Sequence, residues 1–190
     1  MENAPNCSGT ILVCVCGGIA AYKVCTVVSQ LVQRNFSVRV AMTSAATHFV
    51  GPLTFETLTA HPVLLSLWQN PDPSLPPHIQ LAQESDLIVV APATANMLAK
   101  MAQGLADDLV SSLLLAADPK KIIVAPAMNK MMWHNPATQR NCDLLAQAGV
   151  GVIGPGSGWQ ACRTLGEGRM SEPEEIVADI TQRLATKPAV

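Results

Sequence analysis

Five short apolar runs alternate with helical patterns along this chain of 190 residues. The runs cover residues 11–16, 37–42, 87–91, 121–125 and 150–153. Continuous apolar character over so few residues is typical of strands that are covered on both faces. Such strands, when helices separate them, form a parallel sheet with right-handed crossovers. We therefore predict an α/β fold with a three-layer, doubly wound parallel sheet in a single domain spanning residues 1–190.

The composition supports a packed core and argues against several classes of protein. Hydrophobic residues make up 49% of the chain and charged residues 14%, which is not the composition of a disordered chain. A net charge of −2 gives no general attraction to nucleic acid. No apolar run is long enough to cross a membrane, and the amino terminus lacks the basic start of a secretion signal, so we expect a cytoplasmic protein. The low charge content also indicates contacts between subunits.

The six cysteines are scattered and do not form a disulfide framework. Cys14 and Cys16 lie on the same face of the first predicted strand. A metal site would need further ligands, and no second close pair of Cys or His residues accompanies them. We therefore predict buried structural thiols there and no metal.

Small and polar residues follow the predicted strands at the sheet edge where ligands bind in open α/β folds. Gly17 and Gly18 follow the first strand and allow a phosphate to approach the backbone, although a tight turn explains them equally well. The three spaced glycines of the dinucleotide fingerprint are absent, which favours a mononucleotide or flavin phosphate. Thr43 ends the second strand, as either a ligand hydroxyl or a helix cap.

The third and fourth strands end in longer motifs. After the third strand, small residues would let a flat ring lie close to the backbone, while Thr94 and Asn96 offer hydrogen bonds or a helix cap. After the fourth strand, Asn129 lies in a Met-rich turn. The two segments have the same position relative to their strands, so we expect them to face one site.

Two longer loops carry the candidate proton-transfer groups. His78 follows a proline-rich segment, residues 71–77, which we interpret as a loop; a histidine there can exchange a proton near neutral pH, or it is a plain surface residue. Cys162 lies in a Gly-rich segment, residues 154–168, which we also interpret as a loop. We expect Arg163 to favour the thiolate of Cys162. A mobile loop with a thiol suits a lid that delivers a proton, and an incidental cysteine is the other interpretation.

Taken together, these motifs resemble those of the flavin-containing cysteine decarboxylases, most of all the members that act on phosphopantothenoylcysteine in coenzyme A biosynthesis. The resemblance rests on five segments in order: Cys16 to Lys23, His78 to Leu81, Pro92 to Asn96, Pro126 to Trp133, and Gln160 to Cys162. It implies a Rossmann-like or flavodoxin-like domain, bound FMN and a homotrimer or homododecamer.

The resemblance also implies roles for individual residues. His78 would be the active-site base and Cys162 the proton donor on a substrate-covering loop at about 154–170. Asn129 would hold the substrate carboxylate, with Met128 and Arg169 as further substrate-binding residues. The flavin would be lined by Gly17, Gly18, Ile19, Thr43, Pro92, Ala93, Thr94, Ala95, Asn96 and Ala127.

The family chemistry explains why such groups are needed. Loss of CO₂ from a cysteine leaves a carbanion with nothing to delocalise it, and flavin in these enzymes first oxidises the CH₂–SH group to a thioaldehyde. The carbanion then becomes an enethiolate. Return of hydride and a proton completes a net decarboxylation, with the cofactor performing the difficult step and the protein supplying orientation.

Departures from the family pattern leave alternatives open. Relatives usually carry Gly and then an acidic residue after the loop cysteine, where this chain has Arg163 and Thr164. One alternative is therefore an oxidative decarboxylase of a peptide's C-terminal cysteine, which stops at the enethiol. A flavin prenyltransferase would need a basic site for a prenyl phosphate, and no Lys/Arg cluster lies near the motifs in sequence. A flavin-binding regulatory subunit is the non-enzymatic alternative, although the long acidic tails of such relatives are absent.

Overall fold

A computed structural model describes residues 8–68 and 76–186 of the chain. Five strands form a parallel sheet in the order β2-β1-β3-β4-β5, which confirms the predicted fold class. Their bounds are Thr10–Val15 (β1), Ser37–Met42 (β2), Leu87–Ala93 (β3), Ile122–Pro126 (β4) and Gly151–Val152 (β5). The chain goes from β1 to β2 on one side and then crosses to β3 on the other side of β1. The boundary between β1 and β3 is therefore the topological switch point, where ligands bind in such sheets.

Helices cover both faces of the sheet. They are Ala21–Gln33 (α1), Pro52–Thr59 (α2), Pro77–Glu84 (α3), Ala95–Gln103 (α4), Leu109–Ala116 (α5), Lys130–Trp133 (α6), Pro136–Gln147 (α7) and Pro173–Ala185 (α8). Helix α1 packs against α2 and α8 on one face, while α4 packs against α5 and α7 on the other. None of the helices within the described ranges has the length and apolar character needed to span a membrane.

Alternate residues of β1 enter two separate cores, which is why the strand is apolar throughout. Ile11 and Val13 belong to the core under α1 and α8, whereas Leu12, Cys14 and Cys16 belong to the core under the opposite helices. Both of these cysteines are buried, as predicted. Burial raises the pKa of Cys16 to about 12, so this thiol stays protonated at neutral pH.

The Gly-rich segment predicted as a loop is instead a β-hairpin. Strands Gly156–Trp159 (β6) and Leu165–Arg169 (β7) pair antiparallel and form a separate two-stranded sheet, called the hairpin below. The interpretation as a loop was wrong because the strands contain several glycines and no apolar alternation, so their mutual hydrogen bonds leave no pattern in the sequence.

The proline-rich segment also differs from the prediction. Residues 71–75 of the predicted loop lie outside the described residues. Pro77, which we assigned to that loop, is the first residue of α3, where proline is favoured because its missing N–H has no helical partner. His78 therefore lies in the first turn of a helix and not in a loop.

Candidate active site

A cavity of about 970 Å³ opens at the carboxyl ends of β1, β3 and β4, beside the switch point of the sheet. This volume is large enough for a cofactor and a substrate side by side. The lining includes most of the predicted site residues: Gly17, Gly18, Ile19, Thr43, Thr94, Ala95, Asn96, Ala127, Met128, Asn129, Cys162 and Arg169. Pro92 and Ala93 are buried in β3 and are not part of the lining given by the described residues.

The floor of the cavity depends on a close approach of two loops. A Cβ atom on Gly17 would lie 2.4 Å from the Cβ of Ala45, so only glycine allows the turn after β1 to touch the turn after β2. Gly18 is different, because a Cβ there would meet only ordinary contacts, from Pro92 and Thr94. Pro92 therefore supports this turn from behind the cavity wall.

Thr43 and Thr94 act as helix caps and line the cavity as well. The Thr43 hydroxyl accepts a hydrogen bond from the Ala46 N–H at 3.3 Å, and the Thr94 hydroxyl accepts one from the Met97 N–H at 3.2 Å. Each cap holds the backbone turn at its strand end. Thr43 and Thr94 can therefore each cap a helix and face a ligand, so the two interpretations left open by the sequence are compatible.

Asn129 and Cys162 meet inside the cavity although 33 positions separate them in sequence. The Asn129 side chain caps α6, because its Oδ1 accepts the Met131 N–H at 2.8 Å. Its Nδ2 then points the other way and donates to Cys162 Sγ at 3.1 Å. The strand-end turn and the tip of the hairpin thus present an amide and a thiol to the same space.

The hairpin is fixed to the turn after β4 by backbone contacts and by Gln160. The Met128 N–H donates to the Gly168 carbonyl at 2.8 Å, and a Cβ on Gly168, whose φ is 116°, would lie 2.4 Å from the Met128 carbonyl oxygen. Gln160 is buried and donates to the Glu167 carbonyl at 2.8 Å while accepting the Lys130 N–H at 3.1 Å. These contacts hold Cys162 over the cavity.

Hydrogen bonds lower the pKa of Cys162, and the largest contribution comes from the Thr164 side chain. Desolvation opposes it, and the Asn129 side chain adds a further hydrogen bond that lowers the pKa. Arg163 is not among these causes, so the structure gives no support to the expectation that Arg163 favours the thiolate. Arg163 has a φ of 63°, a left-handed conformation that glycine adopts without strain.

Three basic side chains line the cavity: Arg169, which was predicted to bind the substrate, and Lys23 and Lys100, for which the sequence indicated no role. Lys23 and Arg169 both pair with Glu172, at 2.9 and 2.6 Å, and Lys100 pairs with Asp107 and Asp108. No Lys/Arg cluster lies near the motifs along the sequence, whereas in space these three cations line one cavity. Because each cation already pairs with a carboxylate, the cavity is not a strongly cationic phosphate site.

His78 is not among the described residues that line this cavity. Its Nδ1 atom is buried and has no hydrogen-bond partner within the described part of the chain. The proposed role of this histidine as a base thus has no support from one chain alone. Other lining residues that the sequence did not single out are Lys100, Asp108, Met132 and Trp159.

The profile of the Flavoprotein family matches residues 2–185. The chain belongs to the flavoprotein family. Its relatives include the coenzyme A biosynthesis bifunctional protein CoaBC of Bacillus subtilis, 47% identical over 167 residues, or 88% of this chain and 41% of that protein. The chain thus spans about two fifths of the length of the curated relatives it matches.

Solved structures agree with this assignment. A PPC decarboxylase mutant (Cys to Ser) complexed with pantothenoylaminoethenethiol has a TM-score of 0.83 at 31% identity, over 94% of this chain and 99% of that one. The FMN-dependent cysteine decarboxylase SpaF has a TM-score of 0.80 at 30% identity, over 94% and 98%. The predicted membership in the flavin-containing cysteine decarboxylases is confirmed.

Proposed function

We propose that this flavoprotein is an FMN-dependent decarboxylase that converts 4′-phosphopantothenoylcysteine to 4′-phosphopantetheine in coenzyme A biosynthesis. The observation that carries the proposal is the meeting of the Asn129 amide and the Cys162 thiol at 3.1 Å within one cavity at the sheet's switch point. The similarity to CoaBC and to PPC decarboxylase supports the choice of substrate.

The lining residues fit a flavin. The cavity reaches the N-terminal turn of α1, where the helix dipole favours a phosphate, and the small residues around Ala95 leave room for a flat ring. When bound, FMN would take hydride from the thiol-bearing carbon of the substrate and return it after CO₂ has left.

Asn129, Met128 and Arg169 would orient the substrate. Asn129 Nδ2 donates a hydrogen bond into the cavity and can hold a carboxylate there, while Arg169 lines the same space. Holding the carboxylate fixes the breaking C–C bond perpendicular to the neighbouring π-system, where the departing electrons are best delocalised. Cys162 would then donate its proton to the carbon that has lost CO₂.

We further propose that the enzyme works in the cytoplasm as a homo-oligomer, a trimer or a dodecamer, in which a second copy brings His78 to the cavity. The five cysteines within the described ranges are all free, as is usual in a reducing compartment. Ile19 and Tyr22 line the cavity while 59% and 60% exposed, so one chain leaves an apolar rim uncovered. The buried Nδ1 of His78 lacks a hydrogen-bond partner within the described part of one chain, so the role of this side chain depends on what a second copy contributes.

The substrate is tested with purified protein, FMN and two compounds: 4′-phosphopantothenoylcysteine and a peptide ending in cysteine. We expect the first to lose CO₂ alone, as measured by mass spectrometry. Turnover of the peptide alone, with loss of CO₂ and two further hydrogens, would identify the oxidative enzyme instead. A colourless protein that does not bind added FMN would overturn both functions.

The role of Cys162 is tested with Cys162→Ser, using Cys25→Ser as a matched control because Cys25 lies on α1 outside the cavity lining. We expect Cys162→Ser to release the enethiol and the control to make the full product. The aminoethenethiol held by the relative's Cys-to-Ser mutant is such an enethiol. Full 4′-phosphopantetheine formation by Cys162→Ser would contradict the proton-donor role.

Sharing of the site between copies is tested by complementation. His78→Asn and Cys162→Ser, each alone, should fail to make 4′-phosphopantetheine. Co-expression of the two should restore part of the activity, because some sites then combine an intact His78 from one copy with an intact Cys162 from another. No recovery in mixed oligomers would place both residues in one chain's site.

A further inference from the structure

The sulfur of Cys162 is surrounded by three uncharged polar groups. Asn129 Nδ2 lies 3.1 Å away, Thr164 Oγ1 3.0 Å and Gln160 Oε1 3.5 Å. Thr164 and Gln160 belong to the turn of the hairpin, which closes through a hydrogen bond from the Gln160 N–H to the Thr164 carbonyl at 2.9 Å. The geometry of this turn therefore places the Thr164 hydroxyl beside the Cys162 thiol.

Two of these three groups have fixed orientations. Asn129 Oδ1 accepts the Met131 N–H, so Nδ2 must face the sulfur. Gln160 Oε1 accepts the Lys130 N–H, and its Nε2 is used by a backbone carbonyl, so an acceptor faces the sulfur from that side. Only the Thr164 hydroxyl can rotate, because it is both a donor and an acceptor.

We propose that Thr164 is a positioning residue that stabilises the thiolate left on Cys162 after it has donated its proton, an inference that rests on the function proposed above. As a thiol, Cys162 donates to Gln160 Oε1 or Thr164 Oγ1. When the S–H bond breaks, the proton goes to the substrate carbon that has lost CO₂ and the electron pair stays on sulfur. The Thr164 hydroxyl then turns to donate to the thiolate, beside Asn129, until water restores the proton.

Several of the charged side chains near Cys162 have other partners. The charged groups on the elements packed here are Lys130 on α6, and Glu167 and Arg169 on β7, while His134 directly follows α6. His134 pairs with Glu167 at 3.3 Å and Arg169 pairs with Glu172. The lowered pKa of Cys162 is caused first by the hydrogen bond of Thr164, and the further causes that lower it are also hydrogen bonds.

The test is the pH dependence of Cys162 alkylation by iodoacetamide in the FMN-loaded enzyme, read on the Cys162 peptide by mass spectrometry. Thr164→Val keeps the shape of the side chain and removes the hydroxyl, so the midpoint should move to higher pH and the alkylation rate near pH 7 should fall about fivefold. Thr164→Ser should restore both. Two control variants should leave the midpoint unchanged. Arg163→Gln removes the charge next to Cys162, and Thr57→Val makes the same substitution at an exposed residue of α2.

Turnover supplies the second readout. With 4′-phosphopantothenoylcysteine, Thr164→Val should lower kcat and raise the fraction released as enethiol, with KM, flavin spectrum and melting temperature unchanged. An unchanged alkylation midpoint in Thr164→Val overturns the inference. A shifted midpoint with normal product also overturns it, because the hydroxyl would then act on a thiol that the reaction does not use. Failure of the underlying function shows separately, as full product from Cys162→Ser.

Discussion

Replacing Gln160 with leucine should detach the hairpin from the turn after β4. Gln160 is only 8% exposed, and its side chain links the two segments by accepting the Lys130 N–H at 3.1 Å and by donating to the Met128 carbonyl at 3.4 Å. Leucine keeps most of the bulk but can form neither hydrogen bond. A part-buried donor and a part-buried acceptor would then lack partners in the docked hairpin.

The size of the effect follows from these two contacts. Each hydrogen bond contributes about 1 kcal/mol, and an unpaired part-buried group costs up to about as much again, so docking should weaken by roughly 2–4 kcal/mol. At tenfold for each ~1.4 kcal/mol, the undocked fraction should rise about 30- to 700-fold. Hydrogen–deuterium exchange should report this as faster exchange of amides in residues 156–169, with the central sheet unchanged.

Ser157→Ala is the control, because Ser157 is exposed on β6 of the same hairpin. Its exchange should match that of the unmodified protein. If Gln160→Leu also exchanges at the unmodified rate in the hairpin, the two hydrogen bonds do not hold it and the reasoning fails. If exchange rises throughout the sheet as well, Gln160 supports the whole domain and not the hairpin alone.

Three further predictions concern the cavity walls. Gly17→Ala would place a Cβ atom 2.4 Å from the Cβ of Ala45, so one of the two loops must move. We expect the melting temperature to fall by several degrees and FMN binding, measured by fluorescence titration, to weaken. Unchanged values of both would refute the close approach. Burial alone would raise the pKa of Asp108, but hydrogen bonds, first of all from Lys100, outweigh burial and lower it. The ionised carboxylate of Asp108 therefore stabilises the fold above about pH 4. This stabilisation is lost as the pH falls through the lowered pKa. Asp108→Asn, which keeps the helix cap, should flatten the acid limb of stability measured by urea unfolding, and an unchanged limb would contradict this. Cys16, with a pKa of about 12, should remain unalkylated at pH 8 in the folded protein, and its modification there would show that the core opens.

The sheet was predictable because β1, β3 and β4 are buried on both faces. The predicted second strand, residues 37–42, has the bounds of β2, and the predicted starts of the other four lie within a residue of those observed. Apolar residues on every position of such strands leave a continuous signal in the sequence. The strand-end residues Thr94 and Asn129 were predictable for the same reason, since topology alone brings the carboxyl ends of parallel strands together.

The rest depends on contacts that no local pattern records. The hairpin consists of glycine-rich strands that pair with each other, and Gln160 attaches it to another segment by accepting the Lys130 N–H. Lys23 reaches the cavity because it pairs with Glu172, 149 positions away. The place of His78 in a helix was missed because α3 has eight residues and begins with proline.

The attachment of the hairpin has a mechanical consequence. Its base runs into Met170 and Ser171, both buried, and Arg169 is bound to Glu172, whereas Cys162 is exposed at the far end. Strands of this length put the tip about 15 Å from the base at ~3.3 Å per residue. A tilt of the hairpin by about 10° at its base would move the Cys162 sulfur by roughly 3 Å, which is about the length of its hydrogen bond to Asn129. A small rotation at the base would therefore break the hydrogen bond between Cys162 and Asn129, and the contact of Gln160 with the Lys130 N–H opposes such a rotation.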